Sequence, residues 1–281
     1  MPSALTVSIS RRLPATLTPD DRDDIARFVT RFIAYPRRKL DEVLDRADYV
    51  WLCHDGAGEL VGTTAVRRIR VASGGDAATV IYTAMVAVAP EHRRAGLIPG
   101  MGMRSYLLER ARAPLTPLYW LSLSASPSAY LQMARNFVTF WPRPDCPMPA
   151  PARAILDEAL ASLGASRIEE VSSCLRLRDD FGVSDRDQHP SRWDRGDPDV
   201  DFFLRVNPDY MRGSDLACLC ELSFARLAES VLRQLGRHAR GAPQRGGSAS
   251  GNRVSTSATT RDERTTTNRT AVTSTRRTAP T

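Results

Sequence analysis

Residues 86–112 read VAVAPEHRRAGLIPGMGMRSYLLERAR. An apolar run ends in Ala89-Pro90, a basic loop follows at Arg93-Arg94-Ala95-Gly96, and a helix-like segment begins near Pro99. Strand, basic glycine loop and helix start together make a seat for a phosphate. The first amides of a helix have no intrahelical acceptor, and the helix dipole places partial positive charge beside them. Gly96 lets the backbone come close to an anion, and Arg93 and Arg94 add full charge. The plainer alternative is a pair of solvated loop arginines.

The elements that must hold this loop follow from hydrophobic period and turn residues. Residues 5–13 alternate like a half-buried strand. Thr18-Pro19-Asp20-Asp21 has the composition of a helix start, and the helix is expected to reach about Ile33. Pro36 ends it, and residues 38–47 read as a second helix. Strands are predicted over 49–54, 60–71, 79–88 and 117–125, with helices over 98–112 and from Ser126-Pro127 to about Phe137. Further on, 141–151 is proline-rich loop, 152–163 is helix and 167–177 is ambiguous between helix and strand. Residues 202–206 read as a strand, and 215–236 as a helix with Leu216, Leu219, Leu227, Val231 and Leu235 at helical spacing. Residues 241–281 hold too little apolar bulk to offset their ordering entropy and are expected to be disordered.

Composition narrows the function classes. The chain has 281 residues, 42% hydrophobic and 25% charged, which suits a globular protein. No apolar run has the length of a membrane span, and residues 1–21 lack a signal-peptide pattern, so a cytoplasmic protein is expected. Five cysteines at wide spacing argue against a disulfide framework. Cys218-Leu-Cys220 reads as buried thiols rather than a metal pair, and the aspartates of residues 194–201 read as a solvated loop rather than a calcium site, so no metal is expected. Scattered histidines and the lack of a GxSxG elbow give a hydrolase triad no support. The tail from Gly241 carries +5 of the +7 net charge, which leaves the remainder only weakly basic. With no aromatic residue for base stacking, the tail argues against nucleic acid as a partner, although a tail-borne nucleic-acid role stays as an alternative.

The element order β-α-α-β-β-β-α-β-α, with Val88-Ala89-Pro90 followed by Arg93-Arg94-Ala95-Gly96-Leu97-Ile98, resembles the GNAT superfamily, the Gcn5-related N-acetyltransferases. Their signature is Val-x-Pro followed by Arg/Gln-x-x-Gly-x-Gly/Ala; Ile98 stands where the last small residue is usual, and Gly100 and Gly102 follow. The resemblance implies a mixed, mostly antiparallel α/β sheet flanked by helices over residues 1–142. An α+β extension over 143–240 would pack on this core, followed by the tail over 241–281. It implies acetyl-CoA or another acyl-CoA as co-substrate, with the amides of Arg94, Ala95, Gly96, Leu97 and Ile98 at its pyrophosphate and Arg93 nearby. It also implies that Val86, Ala87 and Val88 bind the pantetheine arm, and that a backbone N–H near Val86 holds the oxyanion.

Ser126-Pro127-Ser128-Ala129 fits the family's helix start and adds Ser126 to the candidate cofactor residues. The family's acid tyrosine falls at Met133, which leaves Tyr130, three residues earlier, as a substitute. The family's strand glutamate has no counterpart in residues 79–88; Tyr82 and Thr83 are the central polar groups there, and Tyr82 is the second catalytic candidate. Ser122, Ser124 and Ser126 share one face, which could line a polar gap or meet solvent. The implied activity is acyl transfer to the amine of a small molecule or protein. A non-catalytic CoA-binding or scaffold module is the alternative.

Overall fold

The computed structural model describes residues 7–72, 77–93, 95–165, 168–178, 189, 191, 193 and 196–223. In chain order the elements are β1 (Ser8–Arg12), α1 (Pro19–Val29), α2 (Arg37–Arg46), β2 (Tyr49–His54), β3 (Leu60–Val71), β4 (Ala78–Val88), α3 (Leu97–Arg112) and β5 (Leu118–Ser124). There follow α4 (Pro127–Asn136), β6 (Phe140–Trp141), α5 (Ala150–Ser162), β7 (Ile168–Val171), β8 (Cys174–Arg178), α6 (Pro198–Val206) and β9 (Ser214–Glu221). The strands form one mixed sheet in the order β1-β2-β3-β4-β5-β9-β8-β7, with β6 also against β9. Among the described residues every pairing is antiparallel except β4 with β5.

Local chemistry sets the ends of the elements. Thr18 Oγ1 accepts from the Asp21 amide at 3.1 Å, and the Asp21 carboxylate accepts from the Thr18 amide at 2.9 Å. This capping box opens α1 with Pro19 in its first turn, and the bonds from Thr18 hold the Asp21 carboxyl below its ordinary pKa. β2 is buried at five of its six positions because helices cover both faces of the sheet, so it reads as a continuous apolar run. An apolar layer joins α5 (Ile155, Leu156, Ala159) to Val80 of β4, Leu121 of β5 and Leu219 of β9.

The helix α3 is fixed over the opposite face. Trp51 Nε1 donates to Ser105 Oγ at 2.8 Å. Glu109, 2% exposed, accepts from Arg112 at 2.7 Å and lies 3.8 Å from Arg68 of β3. At Gly102 the helix meets Trp120 of β5 so closely that a Cβ would stand 2.5 Å from Trp120 Cη2. That position needs glycine for packing, whatever its backbone angles.

Three sequence expectations change. Residues 202–206 belong to a helix, α6. Pro198 sits in its first turn, and Asp197 caps it by accepting from the amides of Asp199 and Val200, so Asp197 serves the helix rather than a cation. The run Phe202-Phe203-Leu204 is apolar on adjacent faces because α6 is buried between neighbours, which hides its period. Residues 214–221 form a strand, β9, rather than the start of a helix; the rest of that expectation, 224–236, lies outside the described residues, as does the tail. β9 is buried on both faces, so the helical spacing of Leu216 and Leu219 was coincidence within an unbroken apolar run. The ambiguous stretch is a hairpin, β7–β8, turned at Ser172 and Ser173 with φ of 50° and 63°.

Two outcomes follow. Gly102→Val forces a branched side chain into the Trp120 ring and should lower the unfolding free energy by roughly 1–3 kcal/mol; an unchanged urea midpoint would contradict this contact. Burial raises the thiols of Cys53 and Cys174 to about 11 and Cys218 to about 12, with Cys220 also well above its ordinary value, whereas Cys146 is exposed. Native labelling with iodoacetamide at pH 7.5 should therefore mark Cys146 first and the other four only on unfolding; early labelling of Cys218 or Cys220 would show the β9 packing to be wrong.

Candidate active site

The parallel pairing of β4 and β5 runs from Thr79↔Leu118 to Thr83↔Ser122 and stops there. Beyond it β4 stays with β3 as far as Gly62↔Val88, and β5 stays with β9 as far as Ser124↔Leu216. The two strands therefore part. On β4 the register slips between Ala65↔Ala84 and Thr63↔Ala87, so Met85 and Val86 together face Thr64. This is a β-bulge, with Met85 at φ 52°, and it turns the β4 backbone out of its pleat where β5 has left it. A cleft of about 630 Å³ opens there, lined on its β4 side by Tyr82 and residues 83–88.

The glycine loop lies beside this opening. Gly96 has φ 70° and caps α3, and no atom lies within 4 Å of where its Cβ would be. The conformation suits glycine, and the open space above it suits a ligand. At the head of α3 the amides of Gly96, Leu97 and Ile98 have no preceding turn to bond, Pro99 has no N–H, and Gly100 N–H already donates to Gly96 O at 2.9 Å. Leu97 is buried and anchors the loop, while Ile98 lines the cleft and Ala95 is tied back by its amide to His92 O at 3.0 Å. The Arg93 guanidinium lies 5.9 Å from the Phe32 ring centroid and also lines the cleft. Arg94 lies outside the described residues. The donors, open space and positive charge fit a phosphate group.

The other wall comes from β5 and α4. Ser122 and Ser126 line the cleft, but Ser124 between them is buried and donates to Cys218 Sγ at 3.4 Å, so the serine face is shared between cleft and core. Ser126 caps α4 by accepting from the Ala129 amide at 3.3 Å. Trp120 Nε1 donates to Thr83 Oγ1 at 3.0 Å, tying the strands just before they part.

Of the two tyrosines expected to act, Tyr82 reaches the cleft and Tyr130 does not. Tyr130 is fully buried, packs on Phe140, Phe202 and Phe203, and donates its hydroxyl to Pro142 O at 3.1 Å. Burial pushes its hydroxyl far above the ordinary tyrosine range. The 60° of helix rotation between positions 130 and 133 decides this, and Met133 is the residue that meets the cleft. Glu59 and Glu91 do not line it. Two carboxylates that sequence reasoning did not single out do line it: Glu42 of α2 and Asp215 of β9, the latter 8% exposed. Among the described residues no group of three or more His, Cys, Asp or Glu is arranged to hold a metal, and no helix is long and apolar enough to cross a membrane.

The family described as acetyltransferase (GNAT) domain matches residues 16–133. No curated protein matches the chain. Similar solved structures include a GNAT family N-acetyltransferase from Escherichia coli in complex with CoA, 18% identical over 47% of this chain and 69% of that one, TM-score 0.36. An acyl-CoA N-acyltransferase from Pseudomonas aeruginosa is 16% identical over 46% of this chain and 84% of its own, TM-score 0.35. NAA60 of Arabidopsis thaliana, in complex with a bisubstrate analogue, is 12% identical over 77% of this chain and 100% of its own, TM-score 0.38. These likenesses are weak, and the domain match covers less than half of the chain.

Tyr130→Phe removes one buried hydrogen bond and should cost about 1 kcal/mol of stability while leaving CoA affinity unchanged in calorimetry. A loss of CoA affinity with stability intact would return Tyr130 to the site.

Proposed function

We propose that the chain is a member of the GNAT superfamily, whose acetyltransferase domain model matches residues 16–133, and that it is an N-acyltransferase moving an acyl group from acyl-CoA to an amine. The observation that carries this reading is the parting of β4 and β5 at Thr83↔Ser122 beside an open, left-handed Gly96 at the head of α3. In this reading the amides of Gly96, Leu97 and Ile98 receive the pyrophosphate and Arg93 balances its charge. The backbone of Val86, Ala87 and Val88, which has no β5 neighbour, bonds the pantetheine arm along the strand edge. The Val86 amide, at the bulge, donates to the oxyanion that forms as the amine attacks the thioester.

Holding amine and thioester together in one cleft supplies much of the acceleration, because it removes the entropy cost of their encounter. Acetyl is the acyl group that the family favours. The acceptor is an amine of a small molecule or a protein, and the buried free thiols suit a reducing cytoplasm. Met133, at the place of the family's acid tyrosine, favours a second reading in which the cleft binds CoA without turnover.

Gly96→Glu puts bulk and negative charge in the open space above the loop, and should weaken CoA binding by at least about tenfold, equivalent to about 1.4 kcal/mol. Gly96→Ala, which carries only the left-handed strain of roughly 1–2 kcal/mol, should lower stability and spare most of the CoA affinity. Calorimetry showing unchanged CoA affinity in Gly96→Glu would remove the loop from the site. CoA binding without acyl transfer to any amine would favour the second reading.

A further inference from the structure

We propose that Lys39, Arg46 and Arg67 form an anion subsite in the wall of the cleft, which takes a carboxylate or phosphate group carried by the molecule to be acylated. The proposal rests on the acyl-CoA reading of the cleft and adds a charge requirement on what shares the cleft with the donor.

The ion pairs of α2 isolate two of these cations. Arg37 is matched to Asp23 at 2.5 Å and to Asp41 at 2.9 Å, Arg38 to Glu42 at 3.7 Å, and Arg22 of α1 to Asp45 at 2.9 Å. Every acid of α2 is therefore taken. Lys39 and Arg46 remain, and among the described residues neither has an ion pair or a side-chain hydrogen bond. Both line the cleft. Lys39 stands in the first turn of α2, which holds no acid, so the helix dipole opposes its charge. An anion in the cleft would offset that cost.

Geometry brings in the third. Seven positions separate Lys39 from Arg46, which sets them on one face of the helix, about 10 Å apart along its axis, with Val43 between them in the cleft wall. Arg67 joins the Arg46 end. The Asp48 amide donates to Val66 O at 2.8 Å, so Arg46 lies two residues before this bond and Arg67 one residue after it. Arg67 faces Tyr82 in register, lines the cleft and donates to Ser162 O of α5 at 3.2 Å. That acceptor is a carbonyl, so the charge of Arg67 stays unneutralised. Asp48, which stands at the same place, is held by Arg68 at 2.6 Å.

The subsite is separate from the phosphate loop. Arg67 reaches toward α5, whereas the loop at Gly96 opens α3 on the opposite face and has Arg93 as its own cation. Of the carboxylates in the cleft wall, Glu42 is held by Arg38 and Asp215 stands three strands from β3, on β9. Lys39 is half-buried, which weakens screening of its charge. The cleft of about 630 Å³ is shared with the donor, so a small acid-bearing molecule fits, and a purely cationic one does not.

The test uses CoA and a set of S-alkyl-CoA probes in calorimetry. Their tethers, of about two to six methylenes, end in a carboxylate, a phosphonate or a neutral methyl ester. At the tether that reaches the subsite an anionic probe should bind about tenfold or more tighter than its ester, the ratio expected of one charge-assisted bond. The tighter of the carboxylate and the phosphonate identifies the acid group. The double variant Lys39→Gln/Arg46→Gln should abolish the preference and leave CoA affinity and the thermal midpoint unchanged, since neither side chain has a partner in the fold. Lys39 is the only lysine, so reductive methylation with carbon-13 gives it one side-chain NMR signal, which should shift with the anionic probe and stay put with the ester. Equal affinity for acid and ester at every tether, or a preference that survives in the double variant, overturns the subsite. Loss of CoA affinity in a folded double variant would assign these cations to the phosphates of CoA and overturn it as well. If the double variant fails to fold, the Lys39 signal decides, and no shift with any anionic probe overturns the proposal. If the wild-type protein binds neither CoA nor any probe, the acyl-CoA reading falls, and this proposal with it.

Discussion

A parallel pair of neighbouring strands is a place where the chain must be joined by a crossover rather than a hairpin. Here that place is β4–β5, and the crossover is α3. Such a connection carries a helix N-terminus to the end of the first strand. The dipole of α3, the αL glycine at its head and the last residues of β4 consequently meet at one point. The same pair is hydrogen-bonded over only five positions. An incomplete parallel pair thus creates both the opening between the strands and the electropositive turn beside it.

Packing keeps the opening where it is. Trp120 bonds Thr83 at the last paired level and lies against Gly102, so one indole ties β4, β5 and α3 together. On its far edge β5 is paired with β9 along six positions, which stops it from following β4. The bulge at Met85 bends β4 just beyond the last paired level. Glu109 and Ser105 hold α3 against β2 and β3, so the helix head cannot drift from the strand end. Because β9 lies beyond residue 133, the segment C-terminal to the domain match supplies part of the cleft wall, including the buried Asp215.

Legibility in the sequence followed contact range. Residues 86–98 are contiguous, so strand, loop glycine and helix start could be read from the chain, and the structure has all three. The capping box at Thr18 was readable for the same reason. The place of Asp215 in the cleft wall was not, because it depends on β9 pairing with a strand some ninety residues earlier, and burial on both faces erased the alternation that identifies a strand. Tyr130 and Met133 lie on neighbouring faces of α4, and the choice between them was made by Phe202 and Phe203 of α6, which hold Tyr130 inside the core. Such a choice is set by tertiary packing that periodicity does not carry.

Amide hydrogen exchange with and without CoA tests the central claim most directly, because it reads the backbone groups that the β4–β5 parting exposes. The account predicts that CoA slows exchange in two separate stretches, 86–88 on β4 and 96–98 at the head of α3, with little change in β1 or β2. Exchange that is unaltered in both stretches at saturating CoA, or protection confined to other elements, would contradict it.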